Sequence, residues 1–253
     1  MPVWCDGIIT KRTVWTTGLF TIRVRVPDLL PFDPGQFLQI GIYHQAPEDT
    51  EAKLINRPYS VASPHRDEIE FFIVVVEDGQ LTPKLWNLAE GDTLLVSQRA
   101  AGSFTLQKSP PARDLWLMAT GTGLAPYIAM LRDGFLWQNY QRIFLVHGVR
   151  WACDLAYSEE LKSLADSHPE RLVVLQTLTR ETVDGYLTGR ISDLMEDGRL
   201  ERTAGATIHA NDSTVLLCGN PDMLDSMEQI LAGRQMRLHR SKSPGHIVLE
   251  RYW

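Results

Sequence analysis

The chain has 253 residues, of which 44% are hydrophobic and 22% are charged, and its formal net charge is −6. This length suits two domains, and the composition is that of a globular protein rather than a disordered one. The acidic balance argues against general affinity for nucleic acid. We also expect no membrane association, because no run approaches about 18 apolar residues and the amino-terminal segment has no secretory leader pattern.

Three cysteines, Cys5, Cys153 and Cys218, are widely spaced along the chain. They form no C-x-x-C pair, so they cannot by themselves build a zinc site or a four-cysteine iron–sulfur cluster. The seven histidines show no metal spacing either, and we assign none of them to catalysis. We therefore expect no metal, and unpaired thiols of this kind suit a reducing cytoplasm.

The first hundred residues are rich in β-forming segments. Residues 19–26 alternate apolar and charged side chains, as a strand with one buried face does, and residues 37–40, 70–76 and 91–96 are further candidate strands. Proline and glycine turn signals separate them, and one short helix is predicted over residues 84–89. Short strands separated by turns predict an N-terminal antiparallel β-barrel.

After Ser109-Pro110-Pro111 the sequence alternates between strands and helices. Candidate strands are residues 115–119, 143–146, 172–175 and 215–218; candidate helices run through Leu124, Ile128, Leu131 and Phe135, over residues 158–166, and from Pro221 onwards. This alternation predicts a C-terminal α/β domain with a parallel sheet covered on both faces. We expect residues 1–108 and 109–253 to form the two domains.

A glycine-rich turn, Gly121-Thr122-Gly123, lies between a predicted strand and a predicted helix. Glycines allow the backbone to approach a ligand closely, and the start of a helix offers unpaired N–H groups to a phosphate. Pro126 stands where a common dinucleotide-binding fingerprint has its third glycine. A tight turn at this point can also serve packing alone, so both interpretations stay open on these residues.

Three arginines, Arg150, Arg180 and Arg190, follow or lie near the ends of later strands. The carboxyl edge of an open parallel sheet is where ligands bind, and guanidinium groups match the geometry of a ribose 2′-phosphate. Glu181, next to Arg180, is the kind of residue that would instead favour the free 2′-hydroxyl of NAD(H). Taken singly, each arginine would be interpreted as part of a surface ion pair.

Five short motifs occur together in a specific order. They are Arg57-Pro58-Tyr59-Ser60, Gly79-Gln80-Leu81-Thr82, Thr120-Gly121-Thr122-Gly123, Cys218-Gly219-Asn220-Pro221 and Glu250-Arg251-Tyr252-Trp253. In order and spacing they resemble the ferredoxin–NADP reductase family, and more narrowly its bacterial ferredoxin/flavodoxin–NADP reductases, some of which end in a Tyr-Trp pair. The resemblance spans nearly the whole chain.

The resemblance implies an FAD site in the first domain. Arg57 would neutralise the pyrophosphate, Tyr59 would cover one face of the flavin ring, and Ser60 would bond near flavin N5, as an aromatic face and a hydroxyl can. The implied FAD-binding residues are Arg57, Pro58, Tyr59, Ser60, Phe72, Ile73, Val74, Val75, Gln80, Leu81, Thr82, Thr122, Tyr252 and Trp253. Without the resemblance, Arg57-Pro58-Tyr59-Ser60 would be interpreted as a strand edge with a buried tyrosine.

The resemblance also implies an NADP(H) site in the second domain. Its residues would be Gly121, Thr122, Gly123, Arg150, Thr179, Arg180, Arg190, Cys218 and Gly219. The residues implied at the reacting atoms are Ser60, Cys218, Glu250 and Tyr252. Cys218 would shape the nicotinamide pocket without acting as a nucleophile, and Glu250 would help proton movement.

The terminal aromatic pair has an implied role of its own. Tyr252 would stack on the flavin where nicotinamide must arrive, so it would have to yield before hydride transfer, and Trp253 would pack on the adenine of FAD. Taken alone, two aromatic residues after a strand would be interpreted as filling a hydrophobic groove.

The implied function is an FAD-dependent oxidoreductase that passes electrons between NADP(H) and ferredoxin or flavodoxin. The alternatives are an NAD(P)H-dependent flavin reductase or oxygenase reductase component and, more distantly, a non-catalytic flavin- or nucleotide-binding sensor. We expect a monomer. Residues 234–251 carry five cations, Arg234, Arg237, Arg240, Lys242 and Arg251, against the single acid Glu250, and this segment is a candidate docking surface for an acidic carrier.

Overall fold

A computed structural model describes residues 2–45 and 51–252 of the chain. They divide into two compact units: Met1–Thr105 with Ala125–Asp133, and Leu106–Leu124 with Gly134–Trp253. Among the described residues, none of the helices is both long and apolar enough to cross a membrane.

The first unit is built on a six-stranded antiparallel sheet. Its strands are β1 (Trp4–Thr16), β2 (Leu19–Arg25), β3 (Phe37–His44), β4 (Lys53–Ser60), β5 (Glu68–Val74) and β6 (Thr93–Ser97), in the order β4-β3-β6-β1-β2-β5. The two outer strands are joined by a bridge between Val61 and Phe71 and by a 2.7 Å hydrogen bond from Ala62 N to Glu70 O. This connection closes the sheet into a barrel, so its edges are paired.

Apolar side chains from the strands fill this barrel. On β2, Ile22 and Val24 are buried and the intervening Arg23 is exposed, which is the alternation that a one-sided strand requires. The short helix α1 (Thr82–Trp86) packs against the sheet through an edge-to-face contact of Trp86 with Phe20, at 5.2 Å between ring centroids.

The second unit is built on a six-stranded parallel sheet. Its strands are β7 (Asp114–Thr120), β8 (Arg142–Val149), β9 (Leu172–Leu178), β10 (Leu187–Thr188), β11 (Ser213–Gly219) and β12 (Ile247–Arg251), in the order β10-β9-β8-β7-β11-β12. Central strand β7 is buried except at Thr120, where it is half-buried, as expected of a strand covered on both faces. Trp116 of β7 stacks on Phe144 of β8 with 4.1 Å between ring centroids.

Six further helices follow β7. They are α2 (Ala125–Leu131), α3 (Gly134–Asn139), α4 (Ser158–Ser167), α5 (Ile191–Glu196), α6 (Arg199–Ala204) and α7 (Pro221–Gly233). Three short 3-10 helices span Leu106–Lys108, Gly121–Leu124 and Ala152–Asp154. Helix α2 belongs to the first unit, whereas the turn that precedes it belongs to the second.

The order of the strands reverses at β7, so the topological switch point of the sheet lies between β7 and β11. The chain steps outward from β7 through β8 and β9 to β10, and it then returns to the other side of β7 with β11 and β12. In open parallel sheets, the ligand crevice lies beyond the carboxyl ends of the two strands at such a switch. Those ends are Thr120 of β7 and Gly219 of β11.

The predicted fold class, a β-barrel followed by a parallel α/β domain, is confirmed. Two details of the prediction are wrong. The helix predicted through Leu124, Ile128, Leu131 and Phe135 is interrupted: Leu124 lies in a 3-10 turn, α2 ends at Leu131, and Phe135 lies in α3. The short N-terminal helix begins at Thr82, with Pro83 in its first turn, and ends before residue 89.

Candidate functional site

A tight turn forms where β7 and β11 end side by side. Gly123, in the turn after β7, packs closely against the end of β11. An added Cβ on Gly123 would lie 2.5 Å from the carbonyl oxygen of Cys218 and 2.9 Å from the Cα of Gly219. Gly219 adopts a φ of +128°, which favours glycine, and a Cβ there would collide with Thr120. Both glycines are therefore required by the backbone geometry of the switch point.

Two polar side chains hold this turn in place. The Thr120 hydroxyl accepts a 2.8 Å hydrogen bond from Asn220 N, and so it joins the ends of β7 and β11. The His147 ring on β8 is fully buried, and its Nε2 donates to Gly121 O at 3.0 Å. Burial lowers the pKa of His147 to about 4 despite that bond, so the ring is neutral at pH 7.

Helix α7 begins directly after this turn. The Asn220 side chain accepts hydrogen bonds from Asp222 N at 2.8 Å and from Met223 N at 3.4 Å, and Pro221 is the first helical residue. This is a well-formed N-cap, and it fixes the direction in which the chain leaves β11.

Cys218, Glu250 and Tyr252 are brought together at the end of the sheet. Cys218 pairs with Glu250 in the β11–β12 ladder, and the backbone N–H of Tyr252 donates to Gly219 O, next to Cys218, at 3.4 Å. Burial and the nearby charge of Glu250 raise the pKa of Cys218 well above its usual value. The thiol is therefore protonated at neutral pH, which suits a shaping role and not a nucleophilic one.

The three predicted phosphate-binding arginines lie at the carboxyl edge of the same sheet. Arg150 directly follows β8, Arg180 lies two residues after β9, and Arg190 follows β10 and precedes α5. All three are exposed, and no carboxylate in the described part of the chain pairs with any of them. Their charges are thus available to an anion from solution.

The backbones that carry these arginines are tied to one another. Arg180 N donates to Arg150 O at 3.0 Å, and Thr179 N donates to Val149 O at 3.1 Å. The turn before Arg190 is held to β9 by a 2.9 Å bond from Gly189 N to Leu178 O. The sheet edge therefore presents Arg150, Arg180 and Arg190 on three neighbouring loops.

In the first unit, the Arg57-Pro58-Tyr59-Ser60 motif forms the end of β4. Pro58 pairs with Gln39 on a strand at the end of the hydrogen-bonded order, where a proline is tolerated. Arg57 is exposed, Tyr59 is half-buried, and Ser60 is buried. Burial, partly offset by the charge of Arg57, raises the pKa of Tyr59 to about 12, so the phenol is neutral.

The Gly79-Gln80-Leu81-Thr82 motif forms a closed loop that leads into α1. The Thr82 hydroxyl accepts a 2.9 Å bond from Val76 N and donates to Val76 O at 3.3 Å. No described residue accepts a hydrogen bond from the backbone N–H groups of Gln80, Leu81 and Thr82. Three consecutive amides without an acceptor form a suitable cradle for a diphosphate.

The remaining predicted residues are placed as follows. Phe72 and Ile73 are buried in β5, Val74 ends that strand half-buried, and Val75 follows it with its N–H bonded to Gly18 O at 2.7 Å. Thr122 is buried in the 3-10 turn of the second unit. Trp253 lies outside the described residues, so its predicted contact with adenine stays a prediction.

Three residues of the site were missed or left unassigned by the sequence. The Asn-Pro pair at residues 220–221 is a recognisable helix start, and it could have identified Asn220 as a cap. Thr120 and His147 carry no such signal, because their roles depend on which strands become neighbours. Among the described residues, there is no cluster of three potential metal ligands.

The basic segment at residues 234–251 is smaller than its composition suggests. Arg234 forms a two-fold ion pair with Glu201 at 2.6 and 3.1 Å, and Arg251 pairs with Asp225 at 2.5 Å. Two of the five cations in the segment are therefore already paired with acids that lie outside it. Arg237, Arg240 and Lys242 are exposed and have no carboxylate partner among the described residues.

Comparison with known proteins identifies the family. Residues 117–229 match the family model described as oxidoreductase NAD-binding domain. The flavodoxin/ferredoxin–NADP reductase of Escherichia coli (strain K12) is 39% identical over 255 residues, and that of Buchnera aphidicola (subspecies Baizongia pistaciae) is 36% identical over 255 residues; both alignments cover each chain completely.

A solved structure agrees with these relatives over the full chain. The ferredoxin NADP⁺ reductase of Neisseria gonorrhoeae, crystallised with bound FAD and NADP, is 26% identical, with a TM-score of 0.90 and coverage of 98% of each chain. Likeness to full-length reductases at this level, together with the five motifs at the ends of β4, β7, β11 and β12 and before α1, shows that the chain belongs to the flavodoxin/ferredoxin–NADP reductase family.

Proposed function

We propose that the chain is an FAD-dependent oxidoreductase that passes electrons between NADP(H) and ferredoxin or flavodoxin. The observation that carries the proposal is the carboxyl edge of the second unit, where a glycine turn lies next to three exposed, unpaired arginines. When bound, NADPH supplies a hydride, and FAD accepts it and releases the electrons singly to a carrier. The residues of the chain bind and orient these groups.

FAD is proposed to bind to the N-terminal domain, residues 1–108. The exposed Arg57 guanidinium and the acceptor-free amides of residues 80–82 suit a pyrophosphate, while the neutral ring of Tyr59 suits one face of an isoalloxazine. Ser60 offers a hydroxyl that both donates and accepts. Residues 72–75 and Pro58 are proposed to line the same site through their backbone and apolar surface.

NADP(H) is proposed to bind to residues 109–253. The turn formed by Gly121, Thr122 and Gly123 is proposed to receive the dinucleotide beside Cys218 and Gly219, since an added Cβ at Gly121 would meet no atom within 4 Å. Thr179 and the three arginines would receive the adenosine 2′-phosphate, since they lie at the edge of the sheet away from the switch point. The neutral thiol of Cys218 would then shape the nicotinamide end, because a protonated thiol neither attacks nor repels the ring.

Tyr252 and Glu250 are proposed to control access to that end. The backbone N–H of Tyr252 donates to Gly219 O at 3.4 Å, so Tyr252 lies beside the proposed nicotinamide end, and its ring is proposed to occupy the position that nicotinamide would take. Tyr252 must therefore yield before hydride transfer, and Glu250, paired with Cys218 in the ladder, is proposed to help move a proton.

The partner is proposed to be an acidic one-electron carrier, since Arg237, Arg240 and Lys242 remain exposed and unpaired. We propose a monomer. A reducing cytoplasm suits the free thiols of Cys5, Cys153 and Cys218.

The test is spectroscopic. The purified protein should carry the visible spectrum of a bound flavin, which bleaches under anaerobic conditions with NADPH much faster than with NADH. Adding ferredoxin or flavodoxin should then re-oxidise the flavin. Absence of flavin from the reconstituted protein would overturn the proposal, and flavin reduction without transfer to either carrier would favour a flavin reductase or an oxygenase reductase component.

A further inference from the structure

Glu181 lies at the sheet edge where the arginines gather, and its charge has the wrong sign for binding a phosphate. An acid next to Arg180 would ordinarily suggest recognition of a ribose hydroxyl, or it would repel a 2′-phosphate. Its carboxylate oxygen instead accepts a hydrogen bond from the backbone N–H of Ala152, in the loop after the neighbouring strand β8. The acid is thus bonded to the protein backbone.

The loop that Glu181 holds is the one that carries Arg150. Ala152 begins a 3-10 turn, Ala152–Asp154, and the Asp154 side chain accepts from Trp151 N at 3.3 Å. Glu181 therefore accepts from one amide at the start of this turn and Asp154 accepts from the preceding one. Together the two acids fix the path of the chain immediately after Arg150.

The hydrogen bond between Ala152 N–H and Glu181 is the second connection between the Arg150 loop and the Arg180 loop. The first is the backbone bond from Arg180 N to Arg150 O at 3.0 Å, and Glu181 adds a tie from the next residue across to Ala152. Two successive links prevent the two loops from separating. Loops held in the binding geometry lose less conformational freedom when a ligand binds.

We propose that Glu181 is a positioning residue for recognition of the 2′-phosphate of NADP(H). It holds the Arg150 loop against the Arg180 loop, so that both guanidinium groups are presented at one sheet edge. The inference rests on the proposed function and adds a determinant of nucleotide specificity to it. It makes a counter-intuitive prediction: removing a negative charge beside a phosphate site weakens phosphate binding.

The matched variants are Glu181→Ala, Glu181→Gln and Asp184→Ala. Glu181→Ala removes both the charge and the acceptor. Glu181→Gln removes the charge but keeps a carbonyl acceptor for Ala152 N–H. Asp184 is an exposed acid in the same loop with no partner among the described residues, so Asp184→Ala removes the same charge and breaks no tie.

Two measurements read out the effect: the KM and kcat for NADPH and NADH with ferricyanide as acceptor, and inhibition by adenosine 2′-monophosphate compared with adenosine 5′-monophosphate. In Glu181→Ala, we expect KM for NADPH and the inhibition constant of the 2′-phosphate to rise about three- to tenfold. We expect kcat, the KM for NADH, inhibition by the 5′-phosphate and the flavin spectrum to stay unchanged. Glu181→Gln and Asp184→Ala should bind the 2′-phosphate as well as the wild type, or more tightly.

The opposite results overturn the inference. Tighter 2′-phosphate binding in Glu181→Ala would mean that Glu181 acts as a repelling charge, and a rise in KM for NADH alone would mean that it binds a ribose hydroxyl. Equal loss in the Ala and Gln variants, or no change in either, would remove the positioning role. If the wild type itself does not prefer the 2′- over the 5′-phosphate, the 2′-phosphate site of the proposed function fails as well.

Discussion

His147 shows how a buried side chain can hold the turn at which we propose that NADP(H) binds. Its Nε2–H is committed to the carbonyl of Gly121, and the ring has no exposed surface. Protonation would place a positive charge in an apolar interior, which explains the lowered pKa of about 4. The same residue that shapes the turn therefore makes the fold sensitive to acid.

The pH dependence of stability tests this role. The unfolded chain binds a proton at His147 near pH 6.5, whereas the folded protein does so only near pH 4, so stability falls as the pH drops through this window. Since one pKa unit corresponds to about 1.4 kcal/mol, His147 should contribute a loss of about 3 kcal/mol between pH 7 and pH 4. Urea unfolding of the FAD-loaded protein at several pH values measures it.

His147→Gln supplies the control for that experiment. Glutamine keeps an N–H donor for Gly121 O but does not titrate, so the acid-side loss should be smaller by about 3 kcal/mol while NADP⁺ binding at pH 7 is retained. Parallel pH curves for the two proteins would show that His147 does not titrate in this range.

The sheet of the second unit separates stability from binding at its two edges. At the amino-terminal edge, Asp114 of β7 is fully buried and binds Arg142 of β8 at 2.5 and 2.9 Å and Arg113 at 2.8 and 3.2 Å. Burial opposes ionisation of Asp114, but the hydrogen bonds from both arginines outweigh it and lower its pKa. The proposed binding residues all lie at the other edge.

Replacing Asp114 with Asn should therefore destabilise the fold without altering catalysis. The change leaves two arginines facing a buried neutral amide, and we expect the free energy of unfolding at pH 7 to fall by about 2 kcal/mol, less than for a wholly buried pair because both arginines are partly exposed. The KM for NADPH should be unchanged. A KM that rises with the loss of stability would show that the two edges are coupled.

The end of β12 carries the residues that we propose control access of nicotinamide. Tyr252 is bonded through its backbone N–H to Gly219 O, beside the proposed nicotinamide end. When residues 252–253 are removed, we therefore expect NADP⁺ to bind more tightly and FAD to be released more readily. Difference spectra during NADP⁺ titration and flavin release on dilution measure the two effects. Tyr252→Phe, which keeps the ring and loses only the hydroxyl, should resemble the wild type in FAD retention. If the truncated protein binds NADP⁺ and releases FAD as the wild type does, residues 252–253 serve packing alone.

Elements with regular patterns were predictable from the sequence, and elements shaped by tertiary contacts were not. The longest strand, β1, was missed because register shifts between Ile9 and Lys11 and between Val14 and Thr16 interrupt its alternation. The break between α2 and α3 was also missed, because the apolar residues keep helical spacing on both sides of it. It falls at Arg132, which donates to Ala62 O at 2.9 Å and to Glu70 at 3.0 Å. Such partners cannot be inferred from a local window.

The same limit applies to the site. The glycine turn, the arginines and Cys218 were identifiable by position and by resemblance, and Pro221 correctly predicted the start of α7. The role of Glu181 depends on a hydrogen bond between loops 29 residues apart in the chain. Likewise, Arg234 and Arg251 appeared free because their partners, Glu201 and Asp225, lie on α6 and α7 and not in the basic segment.

At the scale of the whole molecule, the distribution of charge decides where an acidic carrier protein would bind. The chain carries a net charge of −6, so a diffusing acidic protein is repelled on average and needs a local basic surface. With Arg234 and Arg251 paired, that surface reduces to Arg237, Arg240 and Lys242, which precede β12 in the chain. Replacing all three with alanine should raise the KM for ferredoxin or flavodoxin about tenfold at low salt.

The salt dependence distinguishes docking from a general charge effect. The difference between variant and wild type should shrink as ionic strength rises, because salt screens exposed charges, while NADPH oxidation by ferricyanide stays constant. A matched variant that replaces Lys11, Arg66 and Lys162, all exposed, removes the same number of charges elsewhere. Equal slowing in both variants would assign the effect to net charge, and the segment at residues 237–242 would then have no special part in binding the carrier.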